Sequence, residues 1–238
     1  MAALALIASP ALSEKPATIG LFTSLPVLWP ETDDMSAMLR GGAAPHWARS
    51  VIARHGAIVA LDRFDARDKT LTELGLIIMP QPRALAPAES VALDGWVRRG
   101  GHLLLFVDPM LTQDSAFALG DKRRPMDIAM LTPLLRHWGL VLTFNRDQAA
   151  GERIGRAFDI SFPINLSGQL VATRKRGACR AVGRGLAALC RIGKGRAVIV
   201  ADAALFETRD IANRAMRTAA LDVLIARAAQ AAKPGKTR

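Results

Sequence analysis

The ten residues GHLLLFVDPM, Gly101–Met110, hold an unbroken apolar run, Leu103–Val107, that stops at Asp108-Pro109. A strand with one solvated face alternates apolar and polar side chains. Five apolar residues in succession mark a strand covered on both faces, the pattern of a parallel sheet flanked by helices. Two earlier segments read the same way, AIVALDRF (57–64) and LGLIIMPQP (74–82), and TIGLFTSL (18–25) reads as a first strand. Between them lie helical patterns. Ala48, Val51, Ile52 and His55 recur on one helical face of His46–His55, and Leu93, Trp96 and Val97 line a helix that starts near Pro87 and ends at Gly100-Gly101. This alternation of strand and helix predicts an α/β domain with a mostly parallel sheet.

Further along, Ile128–Trp138 reads as a helix and VLTF (141–144) as a strand. From residue 152 to 200 the pattern becomes short strands between Gly-rich turns: FDISFPI, GQLVATR, GACRAVG, LAALCRIG and GRAVIVAD. This predicts an antiparallel β-meander that extends the sheet rather than a second domain. A final helix carries Leu221, Leu224, Ile225 and Ala228 on one face. The expected organisation is one α/β domain over 17–230, preceded by an apolar leader or disordered segment (1–15) and followed by a basic tail (231–238).

Thirty-two Lys+Arg against 21 Asp+Glu give a net charge of +11. The basic residues are scattered at element ends, aromatics are only 5% and Tyr is absent, so no stacking platform for bases is visible and the pattern argues against a nucleic-acid partner. No run reaches the roughly 18 apolar residues of a membrane span. The N-terminal MAALALIASPALSEK has the length and the small residues of a signal peptide but no positive charge ahead of its apolar run. Exported and cytoplasmic locations both stand at this point.

Cys179 and Cys190 flank Gly183-Arg184-Gly185. A two-residue turn at Arg184-Gly185 pairs 183 with 186 and places 179 opposite 190, close enough for a disulfide. Two small buried residues on one sheet face account for the same pattern without oxidation.

In an open parallel sheet, ligands bind beyond the carboxyl ends of the strands. The residues expected there are Thr23, Ser24, Gln81, Asp108 and Asp202. Two aspartates at that edge suit a cation or a carboxylate pair in a metal-assisted hydrolase. Asp also ends strands by capping the next turn, and the Asp-Pro pair favours that simpler account. Catalytic motifs are absent: there is no G-x-S-x-G elbow, no H-x-x-x-H or C-x-x-C, and the four His are dispersed. No catalytic residue, metal ligand or cofactor is therefore assigned. The long connection after Asp108 carries GDKRRP (120–125), where Lys122, Arg123 and Arg124 suit a small anionic ligand; a solvated charged loop is the alternative.

The phrases GGHLLLFVDP, LLRHWGL and GKGRAVIVADAALF, with Asn213-Arg214 beyond, resemble the soluble domain of GldG-like proteins over roughly residues 17–228. These are auxiliary components of ABC-type transport systems. The resemblance implies a class I glutamine amidotransferase-like fold, a flavodoxin-like three-layer α/β/α sandwich. It also implies a non-catalytic accessory or ligand-binding role beside an ABC permease and ATPase, in the periplasm. The Cys-His-Glu triad of true amidotransferases has no counterpart here, and the membrane helices that tether such relatives are not seen in the sequence.

Overall fold

The structure is a computed structural model that describes residues 18–31, 45–173, 178–207 and 213–230. The leader at 1–15 and the tail at 231–238 lie outside the described residues. Strands β1 (Thr18–Leu21), β2 (Ala57–Ala60), β3 (Leu76–Pro80) and β4 (His102–Phe106) pair in parallel, and β11 (Gly195–Val200) joins β4 in parallel as well. On the far side β10 (Ala187–Ile192) pairs antiparallel with β11, and β9 (Cys179–Val182) with β10. The seven-stranded sheet runs β2-β1-β3-β4-β11-β10-β9.

Both faces of its centre are buried, as the apolar runs predict. Leu104, Phe106, Val198 and Val200 enter one core with α1 (Trp47–Ala53) and α5 (Arg214–Ala229). Their neighbours Leu103, Leu105, Ala197 and Ile199 enter a second core with α3 (Pro87–Arg99) and α4 (Thr132–His137). A short helix, α2 (Lys69–Glu73), capped by Asp68, was not expected from the periodicity. Among the described residues no helix is long and apolar enough to cross a membrane.

The expected meander over 152–200 is corrected. Its strands divide among three sheets: β9, β10 and β11 extend the main one, β6 (Arg153–Ala157) and β7 (Ile160–Ile164) form a separate hairpin, and β8 (Gly168–Ala172) pairs with β5 (Leu140–Phe144). The cause is the central strand β11. Its consecutive apolar residues need cover on both faces, so it takes the place beside β4 instead of an outer one. The helix expected over 128–138 is also shorter, because Ala129 is bound into the preceding loop through a hydrogen bond to Asp108 O (2.8 Å).

The two glycine phrases, GG before β4 and GKG before β11, are halves of one packing device. Gly100 ends α3 at φ 127°, in the left-handed region open to glycine. The GKG turn lies against that helix end: Lys194 N–H donates to Arg98 O (2.9 Å), and a Cβ on Gly195 would stand 2.0 Å from Val97 O and 2.3 Å from Gly101 O. On Gly101 a Cβ would fall 2.4 Å from the Trp96 ring. The helix, the strand start and the turn thus meet backbone to backbone.

The hairpin register is the one the turn predicts, with Val182 opposite Ala187 and Cys179 opposite Cys190. The loop is four residues rather than two: Gly183, Arg184 and Gly185 all have positive φ, 57°, 56° and 88°, and Leu186 N–H bonds Gly183 O (3.1 Å) beyond the last strand pair, Val182 with Ala187. Arg191 N–H donates to Ala178 O, so the 179/190 position is the non-hydrogen-bonded one, where side chains lie closest. Cys179 and Cys190 form a disulfide there, buried at 5% and 2% exposure. With a sequence separation of 11, its removal in a Cys179→Ala/Cys190→Ala variant is expected to cost roughly 2–3 kcal/mol in urea unfolding. Thiol titration of the unfolded, unreduced chain should find no free thiols. Two free thiols, or an unshifted urea midpoint, would contradict the bridge.

Candidate functional site

The five residues expected at the carboxyl edge are all there, and they lace the strand tips together in sheet order. At the end of β1, Thr23 Oγ1 donates to Pro80 O and accepts from Leu25 N–H (2.9 Å). Ser24 Oγ donates to Gln81 O at the end of β3 (2.6 Å). Gln81 then reaches the end of β4: its Oε1 accepts Asp108 N–H (2.9 Å), and its Nε2 donates to Asp108 O (3.2 Å). Asp108 reaches the end of β11, with Oδ2 accepting Ala203 N–H (2.9 Å) and Oδ1 closing its own turn on Met110 N–H (2.8 Å). Asp202 repeats the device, accepting Ala204 N–H (2.7 Å) and Asn165 N–H (2.9 Å) just past β7.

Each carboxylate oxygen of the two aspartates therefore already holds a backbone N–H, the arrangement of caps and clasps. The same lace fastens the long loop across the edge. Met126 is gripped from both sides, its N–H by Ser24 Oγ (3.0 Å) and its carbonyl by Gln81 Nε2 (2.7 Å). Gln81 is wholly buried and has a left-handed backbone, φ 41°, which turns its amide across to the β4 tip. Fully satisfied buried networks of this kind rigidify a structure.

The lace is electrostatically loaded. Burial pushes Asp108 up to about 7, against the pull of its two N–H donors, with the charge of Glu207 adding to the rise. Burial pushes Asp202 well above the ordinary carboxylate range, and the charge of Asp108 adds to it. Glu207, at the end of the same turn, is raised by burial as well; Thr112 Oγ1 donates to it, and Asn165 Nδ2 donates to Thr112 (3.0 Å). Among the described residues no group of three or more His, Cys, Asp or Glu is placed to hold a metal ion.

The basic loop does not present the receptive cluster expected of it. Arg123 is paired with Asp121 (2.7 Å) and lies over the Phe117 ring (4.1 Å). Arg124 donates to Phe117 O (3.0 Å) and reaches Asp127 (3.4 Å). Lys122 is exposed. The reason is local: Asp121 and Asp127 flank the three cations and neutralise two of them. The four His stay apart, His55 on Asp222, His46 on Phe206 O, His102 on Ala229 O and His137 near Asp94.

Sequence reasoning missed Arg217, which is 1% exposed and bonds Ala204 O and the Glu152 carboxylate, tying α5 to the residue just before β6 and to the turn after Asp202. The signal was present: Arg217 stands four residues before Leu221, on the apolar stripe of the helix, where a charge demands a partner.

No protein-family model matches the chain, and no curated protein does. Among solved structures it is similar to the mmIFT52 N-terminal domain, at 15% identity and a TM-score of 0.53, over 93% of this chain and 99% of that one. It is also similar to the exo-beta-1,4-mannosidase Op5Man5 from Opitutaceae bacterium strain TAV5, at 14% identity and a TM-score of 0.51, over 90% of this chain and 36% of that one. The chain thus spans about a third of the mannosidase. At such identities the likeness is one of fold: mixed α/β with a mostly parallel sheet, found both as a whole domain and as part of a larger enzyme.

Proposed function

We propose that the chain is a non-catalytic accessory or ligand-binding domain serving an ABC-type transport system, with a flavodoxin-like three-layer sandwich of the class I glutamine amidotransferase-like kind. The observation that carries the non-catalytic half is the lace. The edge where an α/β sheet offers its chemistry has its polar side chains committed to backbone groups, under a loop bolted across it. The transport half rests on the GldG-like phrases, and the GG and GKG glycines among them pack together. The buried disulfide supports an exported location, since such bonds persist in oxidising compartments. A metal-assisted hydrolase using Asp108 and Asp202 fits less well, because every oxygen of the pair is already an acceptor for N–H.

The test is co-purification. The tagged full chain, cross-linked in cells of its source and extracted in detergent, is expected to bring down an ABC permease or ATPase in comparable amount. Recovery of the chain without either would overturn the transport reading.

A further inference from the structure

Three arginines from three elements converge on one hollow of about 380 Å³ away from the lace: Arg156 on β6, Arg180 on β9 and Arg227 on α5. The volume lies in the range of small-molecule sites, roughly 300–1,000 Å³. The convergence is built. Gly183, at φ 57°, leaves room that a Cβ would fill at 2.4 Å from Arg156 O, so β6 and the β9–β10 turn meet there. Arg227 is fixed by the Phe158 ring beneath it, 4.9 Å from the guanidinium, and its buried Nε has no hydrogen-bond partner.

The charges there are uncompensated. Arg156 and Arg180 make no ion pair with any described residue, and Asp159, also in the lining, makes none either. Three arginines against one aspartate leave an excess of two positive charges, in contrast to the loop at 120–125, whose arginines hold aspartates of their own. Phe158, Val182 and Leu189 supply apolar lining between the cations.

We propose that this hollow binds a small phosphate monoester, its dianionic head on the arginines and its organic group on Phe158, Val182 and Leu189. Guanidinium groups suit the doubly charged head because they donate pairs of N–H bonds to phosphate oxygens. The apolar lining selects an ester over free phosphate. The site is independent of the transport reading: a chain that captures no permease still carries the hollow.

Calorimetric titration of the full chain with phenyl phosphate, inorganic phosphate and benzoate tests it. Saturable binding of phenyl phosphate is expected, tighter than that of either other probe. Arg156→Ala and Arg180→Ala, both at exposed positions, should weaken it about tenfold each with unchanged melting, whereas Lys122→Ala should leave it unaltered. No saturable binding, equal affinity for inorganic phosphate, or equal weakening by Lys122→Ala would each overturn the proposal.

Discussion

Gly195→Ala is expected to lower the unfolding free energy by about 3 kcal/mol or more, among the largest effects available to a single methyl group in this chain. The added carbon has nowhere to go. It would stand 2.0 Å from Val97 O and 2.3 Å from Gly101 O, and neither atom belongs to a side chain that can rotate away. One is at the end of α3 and the other at the entry to β4, so relief needs the helix, the strand or the turn to shift. Lys194→Ala, one residue earlier and exposed, keeps the turn and is expected to change stability by no more than roughly 0.5 kcal/mol. Urea midpoints with matched slopes would measure both. A Gly195→Ala loss below about 1 kcal/mol would show that this junction yields, and would remove the packing account of the paired glycine phrases.

That account also says what those phrases report. They resemble a transport-associated family, yet their glycines satisfy a helix-to-strand contact, so they carry fold information before functional information. The parallel centre was legible at Leu103–Val107 and Leu76–Met79, apolar at successive positions as only a doubly covered strand tolerates; Ala197–Val200 carries the same signal but was read into the meander because alternating strands and Gly-rich turns precede it. The Cys179/Cys190 register was legible because Gly183-Arg184-Gly185 fixed the centre of the turn, and a loop of two residues or four about that centre gives the same pairs beyond it. The partners of β5 and β6 were not. β5 pairs with β8 across the intervening β6–β7 hairpin, a choice made by tertiary packing that no local alternation encodes. The tip residues were found by position, and their work was not readable, because a lace of side chain to backbone bonds depends on which strands are neighbours. In the basic loop, Asp121 and Asp127 were in view beside Lys122, Arg123 and Arg124; weighing the cations alone overstated the free charge there.

The chain is expected to lose stability as the pH rises from about 4 to about 7, by up to roughly 4 kcal/mol from Asp108 alone. An unfolded chain releases the Asp108 proton near the ordinary value of about 3.9, whereas the folded chain holds it to about 7. Folding therefore gains most below the lower value, and the gain is gone above the higher one. Asp202 and Glu207, both raised by burial, act in the same direction. Arg217, the buried cation nearby, offsets little of this because Glu152 already holds it. Acid works the other way at Glu89, which Arg83 holds down to about 2, so its contribution is lost as the pH falls below the usual glutamate range. Stability should peak between these limbs, near pH 4 to 5 on this reckoning. Asp108→Asn separates the lace from general charge effects. Its amide cannot ionise, and its NH2 turns hydrogens toward an N–H where the wild type, protonated at acid pH, still presents a hydroxyl oxygen, leaving Met110 or Ala203 N–H unmatched at a cost of about 1–3 kcal/mol at acid pH. As the pH rises the variant escapes the penalty that the wild type meets, so the two stability curves should cross between about pH 5 and about pH 6, leaving the variant the more stable above about pH 7. Urea unfolding of both proteins from about pH 4 to about pH 8 measures this. A wild-type curve that is flat across that window, or a variant that falls in parallel with it, would mean that the buried pair holds no proton and that its N–H donors alone keep both aspartates charged.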